Sequence, residues 1–290
     1  MVRSAILAVF GGLAVVAPAT AQTPGKTIGT LVVAHGGDSI WNAQVRQVLG
    51  DLRLSGPAEL SFLMGPEASK TRFQDAVGRL VHAGAQEVVV VPLLVSSHSG
   101  HFEQIRYLIG ETDSLDRVMH EHLHHGGIER PQLKVAMRIT AGLDDSPELA
   151  RVLTDRARAS VARPAGRALM LVGHGPNSAE DYAAWMKNLR VVADSVRRWS
   201  GFEDVRVELV REDAPALVRA EAVARLRELI AMQARLTNDT VVVVPILVSR
   251  GGISRSRILK DIEGLPARYA ESALVPHPAI AAWITRRATR

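Results

Sequence analysis

The sequence predicts an α/β protein made of two similar, doubly wound lobes, each with a parallel sheet. The chain repeats itself: residues 28–39 (IGTLVVAHGGDS) resemble residues 167–178 (RALMLVGHGPNS), and residues 87–95 (EVVVVPLLV) resemble residues 240–248 (TVVVVPILV). These apolar runs are short, rich in valine and continuous, a pattern typical of parallel strands that are covered on both faces.

Amphipathic segments separate the predicted strands in both halves. Their apolar residues recur every three or four positions, which predicts helices. These segments are residues 39–52, 69–84, 180–199 and 217–236. Each half then closes with a further strand and a helix that has a proline near its start, Pro147 in the first half and Pro278 in the second. Alternating strands and helices predict the doubly wound arrangement.

The lobes are expected to span residues 28–163 and 167–290. The boundary falls at the link Arg163-Pro164-Ala165-Gly166, whose composition is typical of a turn. Because the two lobes are fused in one chain, a dimer is not needed to bring them together, and we expect a monomer.

Residues 1–21 are predicted to be a secretory signal peptide. They contain one arginine, an apolar run from Ala5 to Ala17, and small residues before Gln22. The alternative is an uncleaved membrane anchor, but the apolar run is short for a bilayer span. We therefore expect an exported protein, periplasmic or secreted, with no membrane span once the leader is removed.

Composition limits the classes of site and partner. The chain has no cysteine, so thiolate metal sites are excluded and any metal ligands must come mainly from His, Asp or Glu. Its net charge is +5, but only 4% of its residues are aromatic and its arginines are scattered through amphipathic segments. This pattern argues against nucleic acid as a partner and suits an anionic small molecule.

Histidines follow the repeated strands. His35 and His174 each end one copy of the first repeat, whereas His98 and His101 follow only the first copy of the second. Side chains after parallel strands meet at the carboxyl edge of the sheet, and neutral imidazole is the usual ligand for borderline divalent metals where cysteine is absent. A single His-Gly is often only a turn, but its repetition favours a functional role.

The segments AHGGD and VVVVPLLVSSHSGHFEQI resemble the class II chelatases of the sirohydrochlorin cobaltochelatase and ferrochelatase type. The resemblance covers both halves. It implies two α/β lobes with an anionic tetrapyrrole bound between them, and insertion of a divalent metal ion into that tetrapyrrole. The ion, Co²⁺, Fe²⁺ or Ni²⁺, is then a substrate, and no organic cofactor is implied.

The resemblance also implies roles for individual residues. His35 matches the first family histidine and His101 the second, with His98 as a rival because the loop is about one residue longer. These histidines would hold the metal and help to receive the pyrrole N–H protons. Glu103 is the nearest acidic neighbour that could orient the ring of His101. In the second lobe only His174 matches.

Where the first lobe has its second histidine, the second lobe has Gly252-Ile253 within the basic segment SRGGISRSR. Arg250, Arg255 and Arg257 are expected at the edge of the cleft, where guanidinium groups could bind substrate carboxylates together with His174. The alternative is a solvated basic loop.

Residues 119–127, MHEHLHHGG, form a second histidine-rich segment. If they are helical, His120 and His124 share one face, and His122 and His125 form an offset pair. Such a tract could bind Zn, Ni or Co loosely near the cleft. The alternative is an exposed polar loop.

Export is hard to reconcile with a biosynthetic chelatase. A second hypothesis therefore keeps the fold without catalysis and makes the chain an exported protein that binds or delivers a metal or a tetrapyrrole.

Overall fold

A computed structural model describes residues 26–289. The predicted signal peptide at residues 1–21 lies outside the described residues. The first half forms four parallel strands in one sheet: β1 (Ile28–Ala34), β2 (Ala58–Phe62), β3 (Glu87–Leu93) and β4 (Ala136–Ile139). Their order across the sheet is β2-β1-β3-β4.

Five helices follow the strands of the first half. They are α1 (Ser39–Gly50), α2 (Phe73–His82), α3 (Gly100–Leu108), α4 (Arg117–His125) and α5 (Pro147–Ala159). A single turn of 3-10 helix, Ala68–Lys70, precedes α2. Helix α5, which follows β4, begins at Pro147, as the sequence predicts. Proline is tolerated in the first turn of a helix because an N–H there has no intrahelical hydrogen-bond partner.

The second half repeats this arrangement. Its strands are β5 (Ala168–Gly173), β6 (Asp204–Leu209), β7 (Val241–Ile246) and β8 (Ala267–Tyr269), in the order β6-β5-β7-β8. Its helices are α6 (Ala179–Ser200), α7 (Ala216–Thr237), α8 (Gly252–Asp261) and α9 (Pro278–Ala288). The two parallel sheets with flanking helices confirm the predicted α/β fold with two similar lobes.

Alternating valines of the central strand β3 show why a continuous apolar run suits this position. Val89 and Val91 belong to the hydrophobic cluster on the inner face of the sheet. Val88 and Val90 belong to the cluster on the outer face. All four side chains are fully buried, and each contributes roughly 1.5–3 kcal/mol of hydrophobic free energy.

The last helix of each half packs against the other half's central strand. Helix α5 contacts β7, and α9 contacts β3. Trp283 of α9 is fully buried in the shared inner cluster, and Arg286 forms a salt bridge of 2.8 Å with Glu148 of α5. The two sheets therefore share one core between them, and this packing crosses the boundary that the sequence indicates at residues 163–166.

Between residues 26 and 289, no helix has both the length and the apolar character needed to cross a membrane.

Candidate functional site

His35 follows β1 at the carboxyl edge of the first sheet. Its Nδ1–H donates to the carbonyl oxygen of Gly36, 2.7 Å away, which leaves the Nε2 lone pair free. Gly36 has a φ of 90°, and a Cβ at this position would lie 2.2 Å from the carbonyl oxygen of Met64. Only glycine fits this turn, so the His-Gly pair fixes both the turn and the tautomer of the imidazole.

His101 is the second residue of α3, whose N-terminus is capped by Ser99. The Nε2 of the fully buried Gln104 donates to the carbonyl oxygen of Met119, 2.7 Å away, so its Oε1 is an acceptor. His101 Nδ1–H donates to that Oε1 over 2.7 Å. The ring is thus held by one partner, and its Nε2 lone pair is also free.

His35 and His101 lie together, with ring centroids 4.5 Å apart and the rings edge to face. Burial lowers the pKa of His35 below its ordinary value, and the nearby charge of His174 acts in the same direction. Burial also lowers the pKa of His101 to about 3, with His35 as the next cause. Both imidazoles are therefore neutral near pH 7, the state in which imidazole binds a metal.

His174 occupies the equivalent place after β5, in a different electrostatic setting. Its Nδ1–H donates to the carbonyl oxygen of Gly175 over 2.7 Å. Its Nε2 lies 3.0 Å from Oδ2 of Asp213 and 3.7 Å from Oε2 of Glu212. With Nδ1–H already donated to a carbonyl, a hydrogen bond from Nε2 to a carboxylate requires a second proton on the ring.

The pKa shifts agree with an imidazolium at His174. Burial opposes the charge, but the hydrogen bond to Asp213 and the charge of Glu212 outweigh it and raise the pKa of His174. The same hydrogen bond is the main cause that lowers the pKa of Asp213 to about 2. Arg257 completes the group, with Nη1 3.2 Å from Oε2 of Glu212 and 3.4 Å from Oδ1 of Asp213.

The loops of the two lobes meet beside these histidines. Ser249 Oγ, after β7, lies 3.0 Å from the carbonyl oxygen of Trp41 and 2.9 Å from Oε1 of Gln44. The ring of Trp41 is 6.5 Å from that of His35. The charges of His174 and Asp213 act on the pKa of His35, so the second-lobe group lies close to the first-lobe pair.

The two rival histidines differ in position. The side chain of His98 is exposed, and its backbone carbonyl accepts a hydrogen bond from the indole N–H of Trp185 in the other lobe. His101 lies beside His35. The structure corrects one expectation, because Glu103 pairs with Arg106 at 3.1 Å and the partner of the His101 ring is Gln104.

The three predicted arginines follow β7, but two of them already have acidic partners. Arg255 bonds to Glu271, with Nε 2.6 Å from Oε2, and Arg257 bonds to the carboxylates beside His174. Arg250 is exposed, and its backbone N–H donates to Gln44.

Sequence reasoning missed Gln104, Glu212 and Asp213. Gln104 lies in the segment HFEQI, three residues after His101, and this spacing places two side chains on one face of a helix. Glu212 and Asp213 follow residues 205–210 (VRVELV), in which apolar and charged residues alternate as in a strand, so acidic residues at a strand end of the second lobe were the available signal.

The histidine-rich segment forms α4, so the helical alternative holds. His120, His124 and His125 are exposed. His122 is half-buried, and its ring stacks on that of His101 with centroids 6.4 Å apart and an interplanar angle of 25°. In the part of the chain that the structure describes, no three His, Asp or Glu side chains are arranged to hold one metal ion together.

Comparisons with known proteins agree with this arrangement. Residues 29–160 match the family model CbiX. No curated protein sequence matches the chain significantly.

Three solved structures share the fold over nearly their whole length. SirB from Bacillus subtilis with Fe³⁺ is 18% identical, with a TM-score of 0.60 over 91% of this chain and 94% of that chain. The sirohydrochlorin chelatase SirB from Bacillus subtilis subspecies spizizenii in complex with cobalt is 16% identical, with a TM-score of 0.58 over the same shares. CbiX, described as the terminal enzyme for biosynthesis of siroheme in denitrifying bacteria, is 14% identical, with a TM-score of 0.50 over 90% and 98%. The first lobe thus matches the CbiX family, and the whole chain shares the fold of these three proteins.

Proposed function

We propose that the chain inserts a divalent metal ion, Co²⁺, Fe²⁺ or Ni²⁺, into an anionic tetrapyrrole such as sirohydrochlorin. The observation that carries this proposal is the pair His35 and His101. Both imidazoles are neutral and have a free Nε2 lone pair, and their ring centroids are 4.5 Å apart. Relatives with this fold are described with Fe³⁺ and with cobalt.

The sparse ligand set suits an ion that must leave. A closed cage of four protein ligands is typical of structural metal sites, whereas sites that turn over keep open positions. Two imidazoles leave most of the coordination sphere to water and then to the pyrrole nitrogens. Asp213 raises the pKa of His35 through its charge, so the same carboxylate also stabilises a dication bound at His35.

Insertion exchanges one divalent ion for two pyrrole N–H protons. As the ion moves into the macrocycle, the Nε2 lone pairs of His35 and His101 become free and relay these protons to water, because burial disfavours a charged imidazole at both positions. The low pKa of His101, about 3, means that it releases a proton readily to water, and the pair returns to the neutral form that accepts the next ion.

Groups on the second lobe are proposed to position the anionic substrate. His174 carries positive charge, and Arg250 is exposed at the same loop edge. Arg255 and Arg257 would have to exchange their acidic partners for substrate carboxylates. Ile40 and Leu217, which begin α1 and α7 beside the loops of the site, are 64% and 80% exposed and offer apolar contacts for a flat ring.

The test is the absorbance change of sirohydrochlorin mixed with Co²⁺ and purified protein. We expect fast, saturable insertion that His35→Ala and His101→Ala reduce by about a hundredfold or more, beyond the 10–100-fold typical of losing a group behind a ligand. His82→Ala, at the exposed end of α2, is the control. Stoichiometric Co²⁺ binding without faster insertion would identify the non-catalytic delivery protein instead. If neither variant changes binding or insertion, both functions fail at this site.

Export is a separate proposal and depends on the residues before Gln22. N-terminal sequencing of protein from the periplasm or medium of a bacterial host should find a mature chain that begins at Gln22. An intact Met1 on protein retained in the cytoplasm would contradict it.

A further inference from the structure

Helix α4 brings a third imidazole to the metal pair. His122 stacks on His101 with centroids 6.4 Å apart, and His101 lies 4.5 Å from His35. The three rings therefore lie close together, and the charge of His122 acts on the pKa of both His35 and His101. On that helix, His120, His124 and His125 are exposed.

The position of α4 is fixed from two sides. Leu123 is buried in the outer cluster of the first lobe with Ile105 and Leu108 of α3. Gln104, which orients the ring of His101, also donates to the carbonyl oxygen of Met119 in α4. Helix α4 is thus built into the support of the site.

One ring nitrogen of His122, Nδ1, makes no hydrogen bond in the packing between α3 and α4. This nitrogen is buried and has no hydrogen-bond partner within residues 26–289. A buried nitrogen without a partner costs about 1–3 kcal/mol. An apolar side chain of similar size would pack here without leaving a buried nitrogen unpaired. The histidine therefore indicates that Nδ1 binds a ligand during part of the reaction cycle.

We propose that His122 is a metal-binding residue that receives the divalent ion from the exposed histidines of α4 and passes it to His101. The inference rests on the proposed function, since the ion is the one that is inserted. A metal–nitrogen bond is about 2 Å long, so two nitrogens that share an ion lie about 4 Å apart. Within residues 26–289 no three His, Asp or Glu side chains are arranged to hold one ion together, so the ion is passed from one imidazole to the next. The transfer exchanges one imidazole ligand for another and changes no oxidation state.

The test uses the full chain and Co²⁺ alone, followed by calorimetry and by the visible absorption of the bound ion. Wild-type protein is expected to bind more than one Co²⁺ ion. His122→Phe keeps a stacked ring but removes both nitrogens, so we expect the affinity for one of these Co²⁺ ions to fall by about tenfold or more. His82→Phe, on an exposed histidine far from α4 in sequence, is the matched control and should bind as wild type. Equal Co²⁺ binding by His122→Phe and wild type would overturn the inference.

A kinetic arm separates this inference from the proposed function. His122→Phe should raise the KM for Co²⁺ about tenfold and leave kcat at saturating Co²⁺ within twofold, whereas His35→Ala lowers kcat. If no variant and no wild-type protein inserts Co²⁺ while binding still depends on His122, the function fails and the metal site stands. If insertion proceeds with binding and KM unchanged in His122→Phe, the site fails and the function stands.

A second variant covers a folding defect in His122→Phe. His122→Ala leaves a space for a free imidazole, and we expect millimolar imidazole to restore Co²⁺ binding. Loss of Co²⁺ binding that imidazole does not restore, in a protein with wild-type thermal stability, would assign His122 a packing role and contradict the proposal.

Discussion

The two lobes have the same fold but differ in the charge state of the histidine at equivalent sites. Leu63 N–H donates to the carbonyl oxygen of Ala34, and Val210 N–H donates to that of Gly173, so the loops after β2 and β6 correspond. The next three residues are the uncharged Met-Gly-Pro in the first loop and Arg-Glu-Asp in the second. The histidine beside the uncharged loop is neutral, and the histidine beside the carboxylates has a raised pKa.

This difference shows how a repeated lobe can take two roles without a change of fold. A neutral imidazole binds a cation, and an imidazolium binds an anion. The carboxylates placed after β6 raise the pKa of the histidine in the second His-Gly loop. Under the proposed division of roles the second lobe positions the anionic substrate, and that role does not require the second histidine that this lobe lacks.

Removing one histidine from each lobe is the most direct test of the proposed division of roles between the lobes. His35→Ala should weaken Co²⁺ binding by about a hundredfold or more. His174→Ala should leave Co²⁺ affinity unchanged or tighten it a few-fold, because the charge of His174 lowers the pKa of His35 and so disfavours a cation there. It should instead raise the KM for the tetrapyrrole about tenfold, the effect of losing a charge-assisted contact.

Calorimetry with Co²⁺ and steady-state insertion kinetics provide both readouts. Equal losses of Co²⁺ affinity in the two variants would show that the lobes share the metal and would end the division of roles.

The next effect concerns the partner that holds the His101 ring. Gln104→Leu removes the acceptor of His101 Nδ1–H and should cost about tenfold or more in Co²⁺ affinity, as is usual for a group that orients a ligand. Glu103→Gln is the matched control, because Glu103 pairs with Arg106 on a partly exposed surface and such pairs contribute little. Co²⁺ titration of both variants checks this. A larger loss in Glu103→Gln would restore the role that the sequence suggested for Glu103.

The pH dependence of stability should differ in sign between the lobes. In metal-free buffer the pKa of His101 is about 3 in the native state, against 6.5 in the unfolded chain. The unfolded state therefore binds a proton that the native state refuses, and the free energy of unfolding falls as pH drops from about 6.5 towards 3. The ring is partly accessible, so we expect a loss of about 1–2 kcal/mol by pH 4.5, which His101→Leu removes.

His174 should behave in the opposite way. Its pKa is raised in the native state, so its stabilising contribution is present below about pH 6.5 and is lost as pH rises through its native pKa. Urea unfolding of His101→Leu and His174→Leu against wild type, from pH 4.5 to 8.5, measures both slopes. Slopes of the same sign would show that burial, not Asp213, controls the charge of His174.

The sequence was sufficient to predict the fold and the convergence of His35 with a histidine after β3. Both follow from the repeat and from the rule that parallel strands end at one edge. The sequence suggested Glu103 as the partner of the His101 ring because an acidic side chain often orients a ligand histidine. The helical phase favours Gln104, three residues after His101, over Glu103, two residues after it. The exchange of α5 and α9 between the sheets could not be predicted, because each helix has an apolar face that would pack equally well on its own sheet.

The smallest expected effect decides between His98 and His101. His98 presents an exposed ring, and its contribution to the structure is a backbone carbonyl that accepts from Trp185. His98→Ala keeps that carbonyl, so Co²⁺ affinity and insertion should stay within twofold of wild type. Trp185→Phe removes the interlobe hydrogen bond and should lower the free energy of unfolding by about 1 kcal/mol, measured by urea unfolding. A tenfold loss of Co²⁺ affinity in His98→Ala would move the ligand to the loop before α3 and leave His101 as its support.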